Sequence, residues 1–261
     1  ARTGDDSDGL LAKTAFSSIG KPVALLKPGD TLTVLPGTYF ESVSARISGT
    51  PAAPIVIRAA RPGTVLIRGD VDAPRFRSAE GRPFTFCADF EKRVEGVAER
   101  STLRSYEPML SLAEVELTPA SFYQEPLTGR LYVHTSDSGH PDCHALSISV
   151  TNGFGILLTP PPGSTTVHDV VIDGLGFTGY QAREFPSEPG SRNRWGLHVV
   201  MGESVAIRRS MAFLNGGGIY LLAPSDCVVE DCYAFGNRSR FLDLGNNILG
   251  WSVSDTTFRR H

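Results

Sequence analysis

Val205-Ala-Ile-Arg-Arg-Ser-Met-Ala-Phe213 and Cys227-Val-Val-Glu-Asp-Cys-Tyr-Ala-Phe235 are one short phrase written twice, 22 residues apart. Val170-Val-Ile-Asp-Gly-Leu-Gly-Phe177 precedes them and Trp251-Ser-Val-Ser-Asp-Thr-Thr-Phe258 follows. The four phenylalanines therefore stand 36, 22 and 23 residues apart. The long first interval is a regular turn of about 22 residues plus an insertion of roughly 14. The Pro-, Ser- and Arg-rich stretch Gln181–Arg194 supplies it. A second series, Gly155-Ile-Leu-Leu, Gly196-Leu-His-Val and Gly217-Gly-Ile-Tyr-Leu, runs beside the first, and Gly196 to Gly218 is again 22.

A period of that length, built of short β segments with no helical stretch inside it, predicts an all-β solenoid. One coil of about three strands cannot bury its own inner face. Stacked coils pair every backbone at the ~4.8 Å strand spacing and bring equivalent side chains into ladders. Phe177, Phe213, Phe235 and Phe258 are expected to form an inward aromatic ladder, and Ile156, Leu197 and Ile219 an aliphatic one. Asn215 and Asn237, each two residues beyond its phenylalanine, are expected to stack at a turn and bond along the axis. Leucine-rich repeats share the length, but their Leu-x-x-Leu-x-Leu pattern and helices are missing.

These repeats resemble the right-handed parallel β-helix superfamily of pectate-lyase-like proteins. The N-terminal motifs Gly4-Asp-Asp-Ser-Asp-Gly9, Thr14-Ala-Phe16, Pro28-Gly-Asp-Thr31 and Pro36-Gly-Thr-Tyr39 are similar to the opening of many secreted β-helix proteins. Among those are lyases of the alginate-lyase and chondroitinase B type and β-helix glycosidases. The resemblance covers residues 1–70 and 150–261, and it implies a fold more specifically than a chemistry. It also implies an extracellular, periplasmic or cell-surface location. The chain opens Ala1-Arg2-Thr3 without methionine or signal-like segment and closes on Phe258-Arg-Arg-His261 without a capping unit. A piece of a longer chain is expected.

The predicted organisation has three parts. Residues 1–70 hold an N-terminal cap and the first coils. Phe16, Ile19, Val23 and Leu26 recur at helical spacing over Thr14–Leu26, against the weakening effect of Gly20 and Pro22. A short amphipathic helix there would cover the open end of the solenoid. Residues 71–150 interrupt the repeat as a β-rich insertion packed on the first coils. Within it Phe122–His134 reads as a hairpin turning near Thr128-Gly129. Residues 151–261 are the regular coils.

Composition bounds the function. A formal charge of −3 argues against a nucleic-acid footprint, and no run approaches the ~20 apolar residues of a membrane span. Four cysteines without paired CxxC spacing disfavour a zinc site and leave a Cys87–Cys143 disulfide open. Asp5, Asp6 and Asp8 resemble a fragment of a calcium loop but lack its full ligand set, and an Asx-type turn is the expected reading. No other cofactor is expected. His140-Pro-Asp-Cys-His144 lacks a second ligand cluster.

If Ile156, Leu197 and Ile219 point inward, alternation sends Leu157, His198 and Tyr220 to the outside of neighbouring coils. His198 and Tyr220 are the candidate catalytic base and acid, against the plainer reading of a surface His–Tyr pair. Arg183, Arg192, Arg194 and Trp195 are the candidate sugar-binding residues: an indole stacks on a pyranose and guanidinium groups pair with uronate carboxylates. Glycoside hydrolysis needs two carboxylates, and Asp226, Glu230, Asp231 and Asp255 lie on adjacent coils, where polar turn residues are the plainer reading. The basic residues of β-helix lyases are commonly Lys or Arg. No lysine follows Lys92, so Arg208, Arg209, Arg238, Arg240 or His198 would have to serve. The expected function is binding or processing of polysaccharide. The alternative is a non-catalytic structural, adhesive or accessory subunit that meets another extracellular protein.

Overall fold

The structure, a computed structural model, describes residues 9–151, 153–181, 194–238 and 248–259. Three parallel sheets run along one axis. The first contains Thr31–Val34, Ile55–Ala59, Val170–Asp173, Ala206–Arg208, Val228–Glu230 and Thr257–Arg259. The second contains Gly37–Phe40, Val65–Arg68, Leu175–Thr178, Met211–Phe213 and Tyr233–Phe235. The third contains Val43–Ala45, Ile156–Leu158, Trp195–Val200, Gly217–Leu222 and Ile248–Trp251. Each coil passes through the three sheets in that order and pairs in parallel with the coil above. This is the parallel β-helix that the 22-residue period predicts.

Left-handed backbone at the corners closes each coil. Gly174, Arg209 and Asp231 hold positive φ between the first and second sheets, and Gly179, Leu214 and Gly236 between the second and third. Met201, Ala223 and Ser252 repeat the device where the third sheet returns to the first. A left-handed residue costs about 1–2 kcal/mol when it carries a Cβ. Amides bonded coil to coil offset it, such as Arg209 N–H to Glu230 O at 3.1 Å and Ala223 N–H to Trp251 O at 2.7 Å.

Inside, each sheet contributes one ladder. Leu32, Ile57, Ile172, Ile207, Val229 and Phe258 align in the first. Tyr39, Ile67, Phe177, Ala212 and Ala234 align in the second. Val43, Ile156, Leu197, Ile219 and Ile248 align in the third, as the Gly-Ile/Leu series predicts. The expected phenylalanine ladder does not form. Phe177 is fully buried, but its partner in the next coil is Ala212, and Phe213 pairs with Thr178. Ile172 to Phe177 is five residues and Ile207 to Phe213 is six. The ladder itself keeps the five-residue step through Ala212 and Ala234, so Phe213 and Phe235 lie one residue past it and face the other way, where their rings stack at 5.3 Å and 9°. Phe258 belongs to the first sheet, opposite Val229, not to the second.

Asn215 and Asn237 do stack at the corner between the second and third sheets. Asn215 N–H and Nδ2–H donate to Asn237 Oδ1 at 3.0 and 3.1 Å, and Asn215 Oδ1 accepts from Tyr180 N–H at 3.0 Å. The N-terminal cap is shorter than its periodicity suggests, one helical turn over Gly20–Val23. Ile19 and Val23 still bury themselves on the core, and the Glu41 carboxylate accepts from Ile19 N–H and Gly20 N–H at 2.8 and 2.9 Å.

The insertion leaves the second coil at Gly69, whose carbonyl accepts from both Val150 N–H and Thr151 N–H as the chain returns. It folds as two sheets, antiparallel except where Glu107–Pro108 runs parallel to Ser121–Gln124. One sheet orders Arg104–Ser105, Gly96–Glu99, Leu146–Ser149 and Asp70–Asp72. The other orders Glu107–Pro108, Ser121–Gln124, Leu131–His134, Arg82–Ala88 and Arg77–Ala79. The Phe122–His134 hairpin pairs as predicted, with Tyr123 opposite Tyr132. Phe76, Phe86, Val97, Phe122, Val133 and Ile148 belong to a core of the insertion's own. The module is not confined to the first coils. Gln181 Nε2–H reaches Ser105 Oγ at 3.1 Å on the third coil, and Arg238 on the fifth forms an ion pair with Glu107.

All four cysteines are free thiols, so Cys87 and Cys143 are not joined. Among the described residues no helix is long and apolar enough to cross a membrane.

Candidate functional site: a row of stacked rings on the third sheet

The outer face of the third sheet carries Leu157, His198, Tyr220 and Leu249 in register on successive coils. His198 lies between two rings, 5.5 Å from Phe154 and 4.6 Å from Tyr220. Tyr220 in turn stacks on Trp195 at 4.6 Å. The row Phe154–His198–Tyr220–Trp195 is thus continuous across adjacent coils. Gly217 makes it possible: a Cβ there would come within 2.3 Å of the Trp195 ring. Arg194 adds its guanidinium 5.9 Å from the Phe154 centroid.

The sequence-predicted residues fall into two groups. His198, Tyr220, Trp195 and Arg194 are brought together, whereas Arg183 and Arg192 lie outside the described residues. Trp195 is 4% exposed and buttresses Tyr220 from beneath. Phe154, His198 and Tyr220 are the half-buried members of the row. Burial raises the Tyr220 phenol, which therefore stays protonated at neutral pH and can donate.

His198 is electrically unusual. Both ring nitrogens are shielded from solvent, and neither has a hydrogen-bond partner among the described residues. An unmet buried polar group costs about 1–3 kcal/mol, which a purely structural position would not retain without reason. Burial lowers its pKa to about 4, so the ring is neutral at pH 7 and can accept a proton. The unfolded chain binds that proton below about 6.5. Stability contributed by this group is complete above pH 6.5 and declines as pH falls toward 4. The free energy of unfolding, read from urea midpoints, should drop across that window by up to about 3 kcal/mol, and His198→Phe should flatten the dependence. A wild-type profile unchanged by the substitution would show that the imidazole is not buried neutral.

The carboxylates considered for hydrolysis lie elsewhere. Glu230 sits on the first sheet and pairs with Arg208 at 2.9 Å. Asp226, Asp231 and Asp255 are left-handed corner residues. Of the candidate arginine bases, Arg209 is paired with Asp173 and Arg238 with Glu107, while Arg240 lies outside the described residues. The Asp5, Asp6 and Asp8 turn is likewise outside them. Among the described residues no group of three or more His, Cys, Asp or Glu side chains is arranged to hold a metal.

Sequence reasoning assigned no chemistry to the insertion, yet it contains a buried polar knot around Glu99. Buried Glu99 accepts from Tyr106 Oη–H at 2.9 Å and Ser136 Oγ–H at 2.8 Å, with His144 Nδ1 at 3.1 Å. Burial alone would raise the Glu99 carboxyl, but hydrogen bonds from His144, Ser136, Tyr106 and Ser101 outweigh it and hold the group low. His144 Nε2 meets Asp137 at 3.0 Å.

No protein-family model matches this chain, and no curated protein matches it. Solved structures do. A complex of XylC with xylose superposes on 98% of this chain and 55% of its own, with a TM-score of 0.56 at 12% identity. A glycoside hydrolase superposes on 77% of this chain and 58% of its own, with a TM-score of 0.52 at 11% identity. The likeness is one of fold. This chain spans little more than half the length of either structure.

Proposed function

We propose that this chain is part of an extracellular, periplasmic or cell-surface protein that binds or processes polysaccharide along the outer face of the third sheet. The ring row Phe154–His198–Tyr220–Trp195 is the observation that carries this reading. Half-exposed aromatic faces stack on the C–H faces of sugar rings, and a phenol that stays protonated donates to a sugar oxygen. The coil-to-coil spacing gives the row a repeat along which successive sugar units can lie. The xylose complex and the glycoside hydrolase that share the fold support the sugar reading by analogy. The similarity of the N-terminal motifs to secreted β-helix proteins supports export.

The test uses xylan, pectin and alginate with the longest available form of the protein. Binding, new reducing ends and unsaturated-uronate absorbance are followed together. Reducing ends with the absorbance identify a lyase; reducing ends without it identify a hydrolase. Tyr220→Ala is expected to weaken binding at least tenfold, about 1.4 kcal/mol, with the melting temperature nearly unchanged. Equal affinity of variant and parent would remove the ring row from the site. No binding to any glycan would favour the structural or adhesive role.

A further inference from the structure

A cleft of about 510 Å³ opens on the insertion, away from the ring row, between the segment Asp72–Phe76 and the segment Pro141–Leu146. Its size suits one or two small rings. Pro74, Phe76, Pro141 and Leu146 supply apolar wall. The polar groups around it are mostly committed. Arg100 spans Asp70 Oδ2 at 3.2 Å and Asp72 Oδ1 at 2.9 Å, and Arg68 ties the same two carboxylates to the second sheet. His144 has its two nitrogens against Glu99 and Asp137.

Two wall residues are not committed in this way. Arg75 is exposed and makes no ion pair among the described residues. The Asp142 carboxylate receives only the Phe76 amide at 3.4 Å and stands 3.9 Å from His140 Nδ1. An exposed cation and an exposed anion thus line one space, and no ion pair joins them among the described residues. A positive donor and a negative acceptor on the walls of one cleft match a ligand that both accepts and donates. A sugar hydroxyl does both, and a ring carrying several can satisfy Arg75 and Asp142 together. Arg75 and Asp142 carry opposite charges, so the ligand needs no net charge to balance them.

We infer that this cleft is a second carbohydrate site, on the inserted module, for a neutral sugar unit. It is independent of the ring row, and the two readings fail separately. Amide spectra of the whole chain are titrated with xylobiose, cellobiose and glucuronic acid. A neutral disaccharide is expected to shift the amides of residues 72–76, 100 and 142–146 saturably. Arg75→Gln, which removes the guanidinium, and the isosteric Asp142→Asn, both at exposed positions, should each weaken that binding at least tenfold at an unchanged melting temperature. Tyr220→Ala should leave it intact. No saturable shift with either disaccharide, or unchanged affinity in both variants, overturns the site. Loss of the shifts in Tyr220→Ala overturns its independence. Tighter, Arg75-dependent binding of glucuronic acid overturns the neutral-sugar assignment.

Discussion

Phe177→Ala is expected to lower the free energy of unfolding by about 3–5 kcal/mol, while Phe213→Ala lowers it by only about 1 kcal/mol. Both are to be read from urea midpoints at constant m-value. The two residues look equivalent as text and are not equivalent in space. Phe177 is fully enclosed, between Ile67 below and Ala212 above in its ladder. Its ring also backs Gly155, where a Cβ would come within 2.6 Å of it, and a Cβ on Gly196 would come within 2.8 Å of its own Cβ. Ala212, Gly155 and Gly196 have ceded their volume to one large ring, so truncation opens a cavity that none of the three can refill. Phe213 rests on Phe235 outside the coil, and losing it removes one stacked pair and little buried area. Equal losses would put both rings inside and restore the ladder that the repeat suggested.

The second large effect is expected at Asn215. Replacement by alanine leaves Tyr180 N–H without its acceptor and Phe177 C=O without the amide at 3.2 Å, both in a buried corner. At about 1–3 kcal/mol for each stranded group, the loss should reach roughly 3 kcal/mol. Asn237→Ala should cost a comparable amount, because it strands Ala212 C=O, bonded at 2.8 Å, and the buried Asn215 N–H that donates to Asn237 Oδ1 at 3.0 Å. The double variant should fall short of the sum by at least about 0.5 kcal/mol, since the two side chains share a bond. Strict additivity would mean that each asparagine caps its own coil and no ladder exists.

What the sequence revealed followed from what repeats in it. The 22-residue period, the aliphatic series through Ile156, Leu197 and Ile219, and the asparagine pair are all periodic, and parallel stacking turns each into a register. The error arose where likeness of text and register part company. Arg209 and Asp231 take the left-handed place that Gly174 holds in the third coil, and the step from first-sheet to second-sheet ladder stays at five residues, so the position that matches Phe177 is Ala212 and not Phe213. The phenylalanine one residue further on is the more conspicuous letter and the wrong one. The pairing of His198 with Tyr220 was legible from alternation alone. The burial of Trp195 was not, because Gly217 admits the indole through what it lacks rather than through any motif. The cleft beside Arg75 was invisible for a further reason. Asp72, Arg100 and Asp142 are far apart in the chain and converge only once the two sheets of the insertion have closed on their own core.

The chain lengthens repeatedly at one place. Residues 69–155 in the second coil, 179–194 in the third and 236–247 in the fifth all lie between a strand of the second sheet and the next strand of the third. Beside them the asparagine pair ties coil to coil. Span and alignment are therefore governed by different atoms: the corner bonds fix which residues face inward, and whatever lies between two of them is free to vary in length. Loop-closure entropy grows only slowly with loop size, so a long excursion from this edge disturbs the stack scarcely more than a short one. The edge between the first and second sheets, crossed in one to five residues at every described turn, has no such latitude. The molecule is in effect a ruler with one margin left blank, and new surfaces can be written in that margin without moving a single graduation.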